Sequence, residues 1–203
     1  MSIELILPSL ALCAVAFAFG VVLKLSDLLQ EHGYRWFPGA AMVTGIVSAA
    51  LAVGMLSLSH AVLHVMWLAV LASWLLRGRI DGPNHGVMAV AMLTTVLFFG
   101  PELGHYREPL IYFAAVLLPL GAIHDILQYT SVKAPRPIEW FFEQQHLYWY
   151  AMAAGYCVLF EIDPRLCLSV YGFVKGYGYL YDEKRRERLA RWGIKKAPDA
   201  AEG

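Results

Sequence analysis

Glu143 and His146, three residues apart in PRPIEWFFEQQHLYWY, and the upstream pair His124 and Asp125 set two carboxylates and two imidazoles in a very apolar chain. Carboxylate and imidazole together are equipped to move a proton near neutral pH. A helix starting at Pro137, whose fixed φ and missing N–H suit a first turn, would carry Glu139, Glu143, His146 and Tyr150 on one stripe. Glu139 suits the cap of such a helix, while Glu143 and His146 fall too deep for capping. Glu143-x-x-His146 also matches half of a carboxylate-bridged metal site. Asp81, His85, His124 and Asp125 would add oxygen and nitrogen donors for a divalent cation such as Mg2+.

These residues must be positioned by apolar segments, because 59% of the 203 residues are hydrophobic and 16% charged. With a mean hydropathy of +0.53, that composition predicts an integral, all-α membrane protein. The formal net charge is +0, which argues against nucleic acid as a partner and leaves the lipid bilayer itself. Cys13, Cys157 and Cys167 show no metal-type spacing and read as small core residues. Glu4 stands where a signal peptide would carry positive charge, so the first apolar run reads as an uncleaved span.

A span needs about 20 apolar residues, and residues 3–23 supply the first. Residues 24–35 read as an interfacial connection. Residues 39–76 are too long for one span, and a break near 57–60 divides them. The first half carries Ala41, Gly45 and Ala49 beside Thr44, Ser48 and Ala52, a small-residue stripe suited to close helix packing. Further spans follow at about residues 85–100 and 109–128, the latter kinked at Pro119 so that His124 and Asp125 turn inward. Residues 147–160 are only 14 long, so residues 141–146 should be drawn to the membrane boundary. Residues 165–181 make a seventh span, closing a transmembrane domain over 1–183 ahead of a basic cytosolic tail over 184–203.

Lys and Arg favour the cytosolic side. With seven spans and the C-terminus inside, 13 of them fall in cytosolic segments against Arg107 and Arg165 outside, with Lys175 inside a span. Merging 39–76 into one span gives six spans and a weaker split of 11 against four. The preferred topology is therefore N-terminus out and C-terminus in, across the plasma (inner) membrane.

In that topology Lys24, Asp27, Arg79, Asp81, His85, His124, Asp125, Glu143, His146 and Lys175 gather at the cytosolic side. Ionisable groups in spans cost roughly 2.5–3.5 kcal/mol each on insertion scales and therefore mark function. The expected function is an enzyme of lipid or isoprenoid metabolism. Lys24, Arg79 and Lys175 would hold a phosphorylated head group, with His85 beside them. Asp27, Asp81 and Asp125 would bind Mg2+ or act as bases, and Glu143 with His146 would move a proton. A transporter using Asp125, Glu143 and His146 as a relay and a non-catalytic membrane subunit are the alternatives. Between residues 111 and 118 and between 150 and 160 almost nothing polar continues to the far side, which favours a one-sided enzyme site. His60, His64 and His105 form a weaker metal candidate near the outer interface.

PRPIEWFF after a His-Asp pair resembles the Pro-x-Glu and Phe-Phe motif of membrane lycopene cyclases over some twenty residues. That family repeats its motif and follows the Glu with a second acidic residue, where this chain has Trp140. Its function is therefore not carried over.

Overall fold

The computed structural model describes residues 3–130, 133–144, 146–181 and 184–196, with the backbone alone at 3–6, 143 and 144. In chain order its elements are α1 (Ile3–Gln30), β1 (Tyr34–Arg35), α2 (Ala40–Ser57), α3 (Ala61–Leu76), α4 (Pro83–Phe99), a 3-10 turn (Leu103–Tyr106) and α5 (Arg107–Tyr129). There follow α6 (Arg136–Glu139), a π-helical segment (Trp140–Gln144), α7 (Leu147–Leu159), α8 (Pro164–Tyr179), α9 (Arg185–Arg191) and β2 (Lys195–Lys196). Among the described residues the fold is all-helical apart from one two-residue antiparallel pairing of β1 with β2.

Each of the seven apolar segments expected from the sequence is a helix. Three have the length and apolarity to cross a membrane: Leu7–Gln30, Ala40–Ser57 and Leu103–Tyr129. Ala61–Leu76, Pro83–Phe99 and Leu147–Leu159 are apolar but shorter. The short α3 is the central one, with residues 62–67 and 69–71 buried and Leu68 half-buried. A helix that is apolar all round and enclosed by protein is a core element.

Helix contacts run α1–α2–α4–α3–α5–α7–α8 and back to α1, a closed circuit. Trp67 of α3 fills its middle, packing edge-on against Phe19 of α1 and Phe173 of α8 with ring centroids 5.5 and 5.0 Å away. The α1–α8 seam depends on glycine: a Cβ at Gly20, Gly172 or Gly176 would collide with the facing backbone. The stripe on α2 is a packing face, as expected. Thr44, Gly45, Ser48, Ala49 and Ala52 are buried, and Gly45 lies against Asn84 of α4.

Three expectations are corrected. The α2–α3 break is where the sequence placed it, but residues 24–30 continue α1 rather than forming a separate connection, so Lys24 and Asp27 project from its last turns. The helix expected from Pro137 to Tyr150 does not form as one piece. The π segment changes its phase, and His146, at φ 49° and ψ 37°, starts α7 in the left-handed region, so Glu139, His146 and Tyr150 share no stripe. The cysteines are not core residues either: Cys167 is exposed, and Cys13 and Cys157 are half-buried. Residues 184–196 dock, with Leu189 and Ile194 buried against Leu25, Leu28, Tyr34 and Leu180.

Candidate active site

The last turns of α1, α3, α5 and α8 and the first turns of α4 and α7 meet at one end of the bundle around a cavity of about 150 Å³. Of the residues singled out from sequence, Asp27, Arg79, Asp81, His85, His124, Asp125 and His146 line it. Trp74, Met88, Tyr148, Trp149, Phe173 and Val174 supply an apolar wall.

One half of the cleft is centred on Asp125. Its carboxylate accepts from Arg77 Nη1 at 2.9 Å and lies 2.8 Å from Arg79 Nη2. Arg77 also donates to the Ser73 and Gly121 carbonyls, which fixes its guanidinium across α5. Gly121 makes room for it, since a Cβ there would lie 2.6 Å from Arg77 Cζ. Arg79 stacks over the Tyr129 ring at 4.0 Å. Burial disfavours its charge, but the bond to Asp125 more than offsets this and raises its pKa.

The other half is centred on Asp27. His85 Nε2 is 2.6 Å from Oδ1, and Oδ2 accepts from the Tyr177 hydroxyl at 3.0 Å and from Lys24 Nζ at 3.5 Å. The other His85 nitrogen lies 3.3 Å from Asp81 and 3.8 Å from Glu31. With carboxylates at both nitrogens, His85 suits the doubly donating imidazolium. The register is set next door, where Asn84 Nδ2 donates to Ser26 Oγ at 2.7 Å, so the pair Asn84–His85 meets the pair Ser26–Asp27. Burial, reinforced by Asp27 and Asp81, raises the Glu31 pKa above the ordinary glutamate range. Asp27, Glu31 and His85 place donor atoms within 4.8 Å of one another, the set among the described residues that could hold a cation.

Between the halves stand two imidazoles. His124 and His146 have ring centroids 5.8 Å apart, and the Nε2 of each is buried without a hydrogen-bond partner. A neutral imidazole carries one N–H and one lone pair, so each ring has a nitrogen left to donate or accept a proton in the cleft. The Nδ1 of His124 lies 3.6 Å from Asp125. An imidazole with a free lone pair beside one backed by an arginine-held carboxylate can accept and deliver a proton. A non-glycine residue at positive φ, buried with an unused nitrogen, is the kind of strained position functional sites retain.

The structure does not bring in every expected residue. Lys175 points away from the cleft, exposed, with its Nζ 5.9 Å from the Tyr171 ring. Glu139 is exposed on the short α6 and bonds no helix end. The Glu143 side chain lies outside the described residues. Lys24 is buried behind Asp27 rather than in the wall. Sequence reasoning missed Arg77, Glu31 and Tyr177 as site residues. Arg77 had a signal, lying four residues after Ser73 in an otherwise apolar helix. Tyr177 was overlooked beside the charged Lys175, although residues two apart on a helix face different ways.

The opposite end holds a smaller cluster. His60 is bonded to the Asp163 carboxylate, which also caps α8 by accepting from the Arg165 and Leu166 amides at 3.0 and 3.1 Å. His64 bonds the His60 carbonyl and His105 pairs with Glu102, so the three outer histidines have separate partners. Comparison with protein-family models, curated proteins and solved structures gives no match for this chain.

Proposed function

We propose that this chain is a multi-pass membrane enzyme of lipid or isoprenoid metabolism, acting at the cytosolic face on an amphiphile with a phosphorylated head group. One observation carries the reading. A cleft with an apolar aromatic wall ends in arginines, carboxylates and two imidazoles with unused nitrogens, all at one end of a bundle whose middle is filled by Phe19, Trp67 and Phe173. The substrate's chain would lie along the wall, with its head group near Arg79, while Lys24 would hold Asp27 and Tyr177 from behind. Arg77 would hold Asp125 in place, and His146 and His124 would exchange the proton. Glu31, Asp27 and Asp81 are the oxygen donors that would hold a Mg2+ ion, which would neutralise charge on the phosphate. His85 would then release one of its carboxylates. A transporter would need polar groups through the packed aromatic middle, so the enzyme is preferred.

In this proposal α1, α2, α3, α4, α5, α7 and α8 all cross the plasma (inner) membrane, with the cleft and the basic C-terminal segment inside. The charge asymmetry supports that orientation, and enclosure of α3 by its neighbours accounts for a span shorter than the usual 20 or so residues. Cysteines introduced at 133–136 and in the tail should react with impermeant reagents only in opened cells. Labelling of either in intact cells would overturn the orientation.

The function is tested by comparing lipid extracts of cells lacking the gene with cells complemented by wild type or by His146→Gln. Accumulation of a phosphorylated amphiphile in the deletion, reversed by wild type and not by the variant, is expected. A lipid profile indifferent to the deletion would overturn the enzyme reading.

A further inference from the structure

Away from the cleft, at the turn between α7 and α8, two thiols face each other. Cys157 Sγ and Cys167 Sγ are 3.6 Å apart, both free, on antiparallel helices joined by residues 160–163. The turn is anchored on both sides. Phe160 stacks on Tyr156, with ring centroids 5.0 Å apart, and packs edge-on against Tyr112 at 5.7 Å. Asp163 caps α8 and bonds His60 of the α2–α3 connection. Packing therefore holds the two sulfurs together.

We propose that Cys157 and Cys167 are a dithiol that closes to an intrachain disulfide, stapling α7 to α8 at the end of the bundle opposite the cleft. A disulfide bond is about 2.05 Å long, so the sulfurs must approach by about 1.5 Å, a displacement on the scale of side-chain rotation. Cys167 is exposed and Cys157 half-buried, so an oxidant meets Cys167 first. The oxidant is a small-molecule or protein disulfide. Cys167, having released its proton as a thiolate, attacks one oxidant sulfur; a mixed disulfide forms and one thiolate leaves. Cys157, likewise deprotonated, attacks the Cys167 sulfur, and the second thiolate departs. The protein dithiol loses two electrons and two protons, and the oxidant disulfide becomes two thiols.

The geometry carries this independently of the enzymatic reading. If the proposed orientation is right, this end faces away from the cytosol, where disulfides persist. Helix α8 runs from this end to Phe173 and Tyr177 in the cleft, so the staple would restrain the helix forming part of the cleft wall. Cys13 lies elsewhere, its carbonyl against Gly172, and serves as the internal reference.

The test uses the full chain, purified in detergent, reduced, and then exposed to oxidised glutathione. Free thiols are counted by alkylation after denaturation, and linked peptides are identified by mass spectrometry. The expected result is a fall from three free thiols per chain to one, a mass lower by two hydrogens and a Cys157–Cys167 peptide. The product should stay monomeric on a non-reducing gel and melt at a higher temperature than the reduced protein, a difference abolished by dithiothreitol and by Cys157→Ser. Full alkylation of all three cysteines after treatment would overturn the proposal. So would a stable glutathione adduct on Cys167, or a disulfide found only between chains.

Discussion

Arg77 Nη1 lies 2.9 Å from Asp125 Oδ2 across 48 residues of sequence, and the same nitrogen donates to the carbonyl of Gly121, one turn earlier on α5. This links α3 to α5 where the cleft opens, and removal of one partner strands the other. Asp125→Asn should lower stability by about 2–3 kcal/mol, because a largely buried guanidinium loses its counter-charge. Gly121→Ala should have a similar cost by displacing the guanidinium. Denaturant titration in detergent would measure both, and a double mutant scarcely worse than either single variant would show that they act on one contact.

His146 combines a strained backbone with an unused nitrogen, and the two properties separate by mutation. His146→Gly should relieve the positive φ and be more stable than His146→Ala by roughly 1 kcal/mol. Both should lose the proton-transfer step, which general acid–base catalysis sets at about 10²–10⁴-fold in rate. Melting curves read the first effect and complementation of the deletion's lipid profile the second. A His146→Gly protein that restores the profile would remove His146 from the chemistry.

Helix existence was legible in the sequence, since each apolar run became a helix, and so was the gathering of charge at one end. Cost drives that outcome: ionisable groups in so apolar a chain settle where they find partners. Pairing was not legible. Arg77 reads as a topological charge until α5 is laid beside α3 and Gly121 opens the space. The course after Glu139 was misread because a helical period was assumed to run on through Trp140. The π segment and the left-handed His146 leave no mark in hydrophobic spacing, and they are what turn His146 into the cleft.

Lys24 and Lys175 were expected to act together, and the structure separates them. Lys24 is buried with Tyr177 and Asp27 at 3.2 and 3.5 Å, whereas Lys175 is exposed. Lys24→Met should therefore destabilise the protein by about 1.5–3 kcal/mol, the range for hydrogen bonds to charged groups, and impair complementation. Lys175→Met should stay within about 0.5 kcal/mol of wild type, as isolated surface substitutions do. Equal effects of the two would mean that Lys175 reaches the cleft.

At the far end, Asp163 gives a pH dependence whose sign can be worked out. Burial alone would raise its pKa, but hydrogen bonds from His60 and from the Leu166 and Arg165 amides outweigh burial and lower it. A carboxyl whose folded pKa lies below its unfolded value binds its proton less tightly when folded. Its contribution is thus complete above the unfolded pKa and disappears as pH falls through the folded one. Melting temperature should accordingly drop on acidification from about pH 5 towards pH 3, a window set by the ordinary Asp pKa of about 3.9. Asp163→Asn should flatten that drop while already melting lower at neutral pH, because an amide keeps the shape of the α8 cap and loses the charge facing His60. An Asp163→Asn protein with the same acid profile as wild type would show that other carboxylates govern acid unfolding and that the His60–Asp163 contact does not anchor the turn.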